Sequence, residues 1–184
     1  MIELIKQIIS QGLAGVLTTK YEVFGGTAAY FVYVISMLLC IIIPYFLDSV
    51  NFALILSKKM YNDDIRKYGS GNAGATNMLR TYGKKAALMT FLGDGLKSFL
   101  SCVVGYLFLG YVGCYLAGLF CVVGHAFPAF YKFKGGKGVV VASVAILMGN
   151  PIVFIILFII FVIIVLGTKF VSLASVMCML VYPL

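Results

Sequence analysis

Beyond residue 137 this chain carries a single charged side chain, Lys169, before it ends at Leu184. The stretch 139–166 alone is 28 residues without a charge. About 20 apolar residues in helical form cross the hydrocarbon of a bilayer. Within hydrocarbon every backbone N–H and C=O must find its partner inside the protein, which a helix achieves by itself. The whole chain follows the same pattern: it is 62% hydrophobic and 11% charged, with a mean hydropathy of +1.09. A soluble domain is closer to half apolar and a quarter charged. The expected fold class is therefore an all-α polytopic integral membrane protein of about six transmembrane or half-membrane helices.

Residues 1–27 are only moderately apolar. Ile2, Ile5, Ile8 and Ile9 recur at helical spacing opposite Lys6 and Gln7, and Gly25-Gly26 follows. This predicts an interfacial amphipathic leader helix set apart from a membrane domain over 28–184. The opening MIELIKQIIS mixes acid with base and leads into no small-residue cleavage site, so no cleaved signal is expected. A first span is expected over 28–56, with Pro44, Asp48, Ser49 and Asn51 interrupting its second half. Those polar residues either face a protein cavity or already lie at the interface.

A second span is expected over 86–109, a short uncharged link over 110–113, and a third span over 114–130. Asp94 and Lys97 stand three residues apart in the second span, where each reduces the cost of burying the other. They are a functional pair or a structural ion pair. The run 139–166 is broken at Gly149-Asn150-Pro151, a turn-favouring sequence. It is one kinked span or two short helices in a hairpin. The rule that basic residues stay cytoplasmic favours the hairpin, since it returns Lys169 to the inner side. The last segment, 170–184, is too short to cross fully at 1.5 Å per residue.

The positive charge is concentrated. Of 14 basic residues, seven lie within 58–85, and Lys132, Lys134 and Lys137 add three more. The expected topology is multi-pass in a membrane, with both basic loops cytoplasmic. Short loops between spans are a poor fit to nucleic acid. Attraction of anionic substrates or lipid headgroups fits better. Five cysteines (Cys40, Cys102, Cys114, Cys121, Cys178) form no CxxC pair, and His125 is the one histidine. No metal site and no cofactor are expected.

Two polar islands carry the chemistry. The first, YGSGNAGATNMLR at 68–80, combines Gly69, Gly71 and Gly74 with Ser70, Asn72, Thr76, Asn77 and Arg80. Glycines allow tight turns whose N–H groups form anion nests, and a guanidinium fork suits phosphate. A helix starting near Ala75 adds its N-terminus. The second island includes Lys134-Gly135-Gly136-Lys137-Gly138, three glycines and two lysines leading into an apolar helix. It is not a Walker loop, because the GxxxxGK[ST] spacing is absent. His125 precedes it and is a catalytic candidate. Position 130 is Phe, so the HxxxxD pair of many glycerolipid acyltransferases is missing.

SGNAGATNMLRTYGKKA at 70–86 and GHAFPAFYKFKGGKGVVVAS at 124–143 closely resemble two signature motifs of the bacterial acyl-phosphate:glycerol-3-phosphate acyltransferases, the PlsY family. LDSVNF at 47–52 resembles the end of that family's first helix, with Asp48 where glycine is usual. Asp94 and Lys97 resemble its second-helix pair, and KFVSLAS at 169–175 a late segment.

The resemblance implies a seven-helix membrane enzyme with its site at the cytoplasmic face. It implies transfer of a fatty acyl group from acyl phosphate to the 1-hydroxyl of glycerol 3-phosphate, giving lysophosphatidate and phosphate, by a monomer in contact with membrane lipid. By position, Ser70 and Arg80 would bind glycerol phosphate or support catalysis, with Gly71, Asn72, Gly74 and Asn77 beside them. Lys134, Lys137 and Ser172 would contact phosphate, and Gly135, Gly136 and Gly138 would cradle the acyl phosphate. The family continues into a last helix and an HRENI-like third motif, so the domain over 28–184 is expected to be C-terminally incomplete. Two other readings are a non-catalytic remnant that binds phosphate or lipid, and an organic-phosphate transporter. The latter would be expected to show an internal repeat, and none is seen.

Overall fold

A computed structural model describes residues 2–20 and 26–182. It forms two compact units, 1–145 and 146–184. Three stretches are long and apolar enough to cross a membrane: Ala28–Tyr61, Lys84–Tyr131 and Pro151–Thr168.

The first unit is built on α5, Lys84–Ala126, which is two helices rather than one. Leu109 leaves helical geometry and Gly110 takes φ +59°, a left-handed value that glycine adopts without penalty. The chain reverses there, and Gly105 and Gly113 then lie backbone to backbone, so that a methyl on either would overlap the other. The two arms, 84–108 and 111–126, are the second and third predicted spans. The predicted four-residue link over 110–113 is replaced by this abrupt reversal.

α2 (Gly26–Ser49) packs along α5. It continues through Pro44 and stops at Ser49, and Asn51 caps α3 (Phe52–Tyr61) by accepting from Leu54 N at 3.0 Å. Asp48, Ser49 and Asn51 are all fully buried. Of the two expectations for them, the protein interior is correct. α4 (Ala75–Tyr82) carries the second half of the first island, with Gly83 ending it before α5 begins.

The leader is helical. α1 (Ile2–Gly15) breaks at Gly12 and runs on into a π-helical turn, Val16–Lys20. It packs against α5, with Gly12 on the backbone of Phe108 and Gly110 on the backbone of Ser10. Gly25 lies outside the described residues, and Gly26 begins α2 instead of closing the leader.

α6 (Val139–Gly149) leads out of the first unit. The expected break follows it: Asn150 accepts from Ile152 N and Val153 N, and α7 (Pro151–Thr168) starts with proline at its first position. α7 is long enough to cross alone, so the two halves of 139–166 are not equally short. The hairpin that the second unit forms is between α7 and α8 (Val171–Val181). It turns at left-handed Lys169 and is tied by Cys178 Sγ donating to Leu157 O at 3.4 Å. Pro183 and Leu184 lie outside the described residues. α6 and α8 have 11 residues each, about 16 Å at 1.5 Å per residue, which is half-membrane length.

Candidate active site

The two islands, separated by more than 40 residues of sequence, meet in the first unit. The α2–α3 junction holds both. Asn51 Nδ2 donates to Ala73 O of the first island at 3.2 Å. Just ahead of the second island, Ser49 Oγ accepts from Ala129 N at 3.2 Å, and Tyr45 hydroxyl donates to Phe127 O at 3.0 Å. The islands also touch directly: a Cβ on Gly136 would stand 2.6 Å from Ala73 O and would overlap His125 Nε2. Only glycine lets the second loop pass between the imidazole and the first island.

Beneath the contact lies a buried polar cluster. Lys97 and Asp94 form the ion pair read from their spacing, at 3.0 Å. The ammonium sends its three donors to Asp48 O (3.0 Å), Val50 O (2.6 Å) and His125 Nδ1 (3.1 Å). Lysine has no acceptor, so His125 Nδ1 accepts and the ring proton sits on Nε2. The Asp48 carboxylate takes a hydrogen bond from Ser101 Oγ at 3.0 Å and lies 3.9 Å from Lys97. Two carboxylates thus flank one ammonium in a region with almost no solvent access.

His125, a catalytic candidate from its position, is 3% exposed and lies under Gly136. Its geometry is that of a support. Its carbonyl accepts from Gly136 N at 3.1 Å, and that of Ala126 accepts from Gly135 N at 3.1 Å. Two of the three glycine amides of the first island are engaged in the same way. Gly71 N donates to Tyr68 O at 3.0 Å and Gly74 N to Asn72 O at 3.1 Å, and Ser70 N donates to Asn77 Oδ1 at 3.0 Å. Of the glycine amides expected to form anion nests, those of Gly71, Gly74, Gly135 and Gly136 donate within the protein.

Asn77, expected among the anion donors, is buried and fully engaged, since its Nδ2 donates to Ile65 O (3.2 Å) and Tyr68 O (3.0 Å). The groups facing outward are side chains. Ser70, Arg80, Lys134 and Lys137 are exposed, and Asn72 and Gly74 are half-buried. The side chains of Ser70, Arg80 and Lys134 have no hydrogen-bond partner among the described residues. Thr76 and Arg80 stand four apart on one face of α4. The N–H groups of Ala75 and Thr76 precede the first rung of that helix, where Gly74 O accepts from Asn77 N and Met78 N. Gly138 is buried at φ +69°, and its carbonyl opens α6 by accepting from Ala142 N. Ser172 belongs to the second unit, exposed in the first turn of α8, where its carbonyl accepts from Ser175 Oγ at 2.9 Å.

Sequence reasoning named Arg66 only as part of a basic run. Its guanidinium grips the Asp64 carboxylate, with Nη2–Oδ2 at 2.7 Å and Nε–Oδ1 at 3.0 Å. Its Nη1 donates to Lys134 O at 3.1 Å and Tyr131 O at 3.3 Å. The guanidinium holds the Asp64 carboxyl below the usual carboxylate range. The neighbouring Asp63, which accepts from the Tyr68 hydroxyl, is drawn down to about 2. Between the two carbonyls that Arg66 holds, Lys132 and Phe133 both take left-handed φ values, +58° and +57°. Each costs a non-glycine residue about 1–2 kcal/mol.

The chain is similar throughout most of its length to known proteins. A sequence model described as glycerol-3-phosphate acyltransferase matches residues 38–184. The glycerol-3-phosphate acyltransferase of Finegoldia magna is 47% identical over 136 residues, covering 74% of this chain and 69% of that one. A crystal structure of PlsY (YgiH), an integral membrane glycerol 3-phosphate acyltransferase in its glycerol 3-phosphate form, superposes with a TM-score of 0.73 at 36% identity. It covers 80% of this chain and 74% of the other. The lysophosphatidic acid form gives 0.70 at 34% identity, with the same coverage.

Proposed function

This chain belongs to the glycerol-3-phosphate acyltransferase family, and we propose from that premise a division of labour between its two islands. It is an integral membrane acyltransferase that makes lysophosphatidic acid from glycerol 3-phosphate. In our reading Ser70 and Arg80 hold glycerol 3-phosphate, with Asn72 and Thr76 beside them. Lys134 and Lys137 hold the second phosphate, that of an acyl phosphate donor. Gly135, Gly136 and Gly138 give the loop its path, and His125 supports it from below. The loops face the cytoplasm, in keeping with their concentrated basic charge.

The single observation that carries this is the meeting of the islands at Ala73 and Gly136. In this reading Arg80 of one island and Lys134 and Lys137 of the other serve the two substrates, both of which are phosphates. An acyl phosphate is already activated, so positioning and charge stabilisation suffice. The 1-hydroxyl oxygen attacks the acyl carbonyl carbon. The carbon–oxygen bond to phosphate breaks, and a phosphate oxygen takes the hydroxyl proton. Products are the ester and inorganic phosphate, with no protein base required.

Radiolabelled glycerol 3-phosphate and palmitoyl phosphate supplied to the purified chain in lipid vesicles test this reading. Lysophosphatidate is expected from palmitoyl phosphate and not from palmitoyl-CoA. Arg80→Ala is expected to lower kcat/KM roughly 10- to 100-fold, the size of a lost charge-assisted hydrogen bond of about 1.5–3 kcal/mol. Equal turnover of both donors, or wild-type kinetics in Arg80→Ala, would contradict it.

A further inference from the structure

We infer that Arg66 is a positioning residue for the phosphate loop: it clamps residues 131–134 to the turn at Ile65–Lys67, just ahead of the first island, and so places Lys134. The inference rests on the reading that Lys134 contacts a substrate phosphate. Arg66 is fixed from behind by Asp64, through bonds from Nε and Nη2, and Asp64 Oδ1 also accepts from Arg66 N at 2.9 Å. The guanidinium therefore cannot swing without breaking its own anchor. Its remaining nitrogen reaches Tyr131 O and Lys134 O, 65 and 68 residues away in sequence.

Those two carbonyls flank Lys132 and Phe133, the consecutive residues in left-handed conformation. A segment with two such residues relaxes toward extended backbone unless its surroundings hold it. The clamp straddles the strained pair and delivers Lys134 immediately after it. The loop's own bonds, from Phe133 N to Pro128 O (3.1 Å) and Lys134 N to Tyr131 O (3.2 Å), close the same turn but do not tie it to the segment ahead of the first island. Only a planar fork can grip a carboxylate and two carbonyls at once, and an ammonium cannot reproduce this.

The test uses the full chain in lipid vesicles, with wild type, Arg66→Ala, Arg66→Lys, Lys134→Ala and the Arg66→Ala/Lys134→Ala double variant. Two readouts are taken: steady-state kinetics with glycerol 3-phosphate and palmitoyl phosphate, and the rate of trypsin cleavage after Lys132 and Lys134. Arg66→Ala and Arg66→Lys are both expected to raise a substrate KM about tenfold and to speed loop cleavage at least fivefold, with the thermal unfolding midpoint little changed. The double variant is expected to be no worse than Lys134→Ala within twofold, since Arg66 acts through Lys134. Rescue by Arg66→Lys, multiplying losses in the double variant, or unchanged loop cleavage would overturn the inference. Wild-type kinetics in Lys134→Ala would instead overturn the phosphate role of Lys134. The cleavage rates would then still decide whether Arg66 docks the loop.

Discussion

A methyl group at Gly136 would meet His125 Nε2 and Ala73 O together, so Gly136→Ala is expected to part the islands. We predict at least a tenfold loss of kcat/KM, read by the vesicle assay, while a fully active Gly136→Ala would contradict the contact. Asn77 was legible as a polar residue of the right island but not in its role, because an amide that binds substrate and one that pins a loop look alike in sequence. Its three hydrogen bonds to backbone predict that Asn77→Ala costs about 2–3 kcal/mol, at roughly 1 kcal/mol each, seen as a lowered unfolding midpoint. Asp63 and Asp64 have folded-state pKa values below their unfolded ones. Their contribution to stability is therefore complete above the ordinary carboxylate range near 4 and is lost as pH falls. For Asp63 the loss centres on about 2. A carboxyl carbon NMR titration of Asp63 with its midpoint near 2 is expected, and a midpoint near 4 would contradict the Tyr68 hydrogen bond.

Helices were the legible level wherever hydrophobic length or a strong local signal decided. The uncharged run gave α6 and α7, and Asn150-Pro151 gave the break between them. The packing of α1 was hidden because it depends on the bend at Gly12 meeting the reversal at Gly110, two features far apart in sequence. The jobs of Ser49, Asn51 and Arg66 were hidden for the same reason: each acts on backbone from a distant segment. The Asp94–Lys97 pair was visible from its spacing, but Asp48 and His125 join it only once α2 and the two arms of α5 come together. That cluster makes an ordered prediction. Lys97→Met leaves two buried carboxylates uncompensated and is expected to cost about 3–5 kcal/mol. Asp48→Asn removes the more distant carboxylate, 3.9 Å from the ammonium against 3.0 Å for Asp94, and is expected to cost less than Asp94→Asn. Thermal unfolding in one detergent ranks the three, and Asp48→Asn as the most damaging would reverse the charge balance argued for the cluster.

At the scale of the molecule, a membrane bundle brings together two polar loops that do not span the bilayer. The α5 reversal sets the arms side by side, α2 ends between the islands, and α6 leaves directly from the second loop. In the proposed reading, the two loops together hold two phosphate-bearing substrates so that they can react. The most direct measurement of that claim is the rate of lysophosphatidate formation by Arg80→Ala and Lys134→Ala, one variant from each island, in vesicles with both substrates saturating in turn. Both are expected to fall at least tenfold while keeping the wild-type unfolding midpoint. Wild-type turnover in either variant would mean that its island is not a wall of the site.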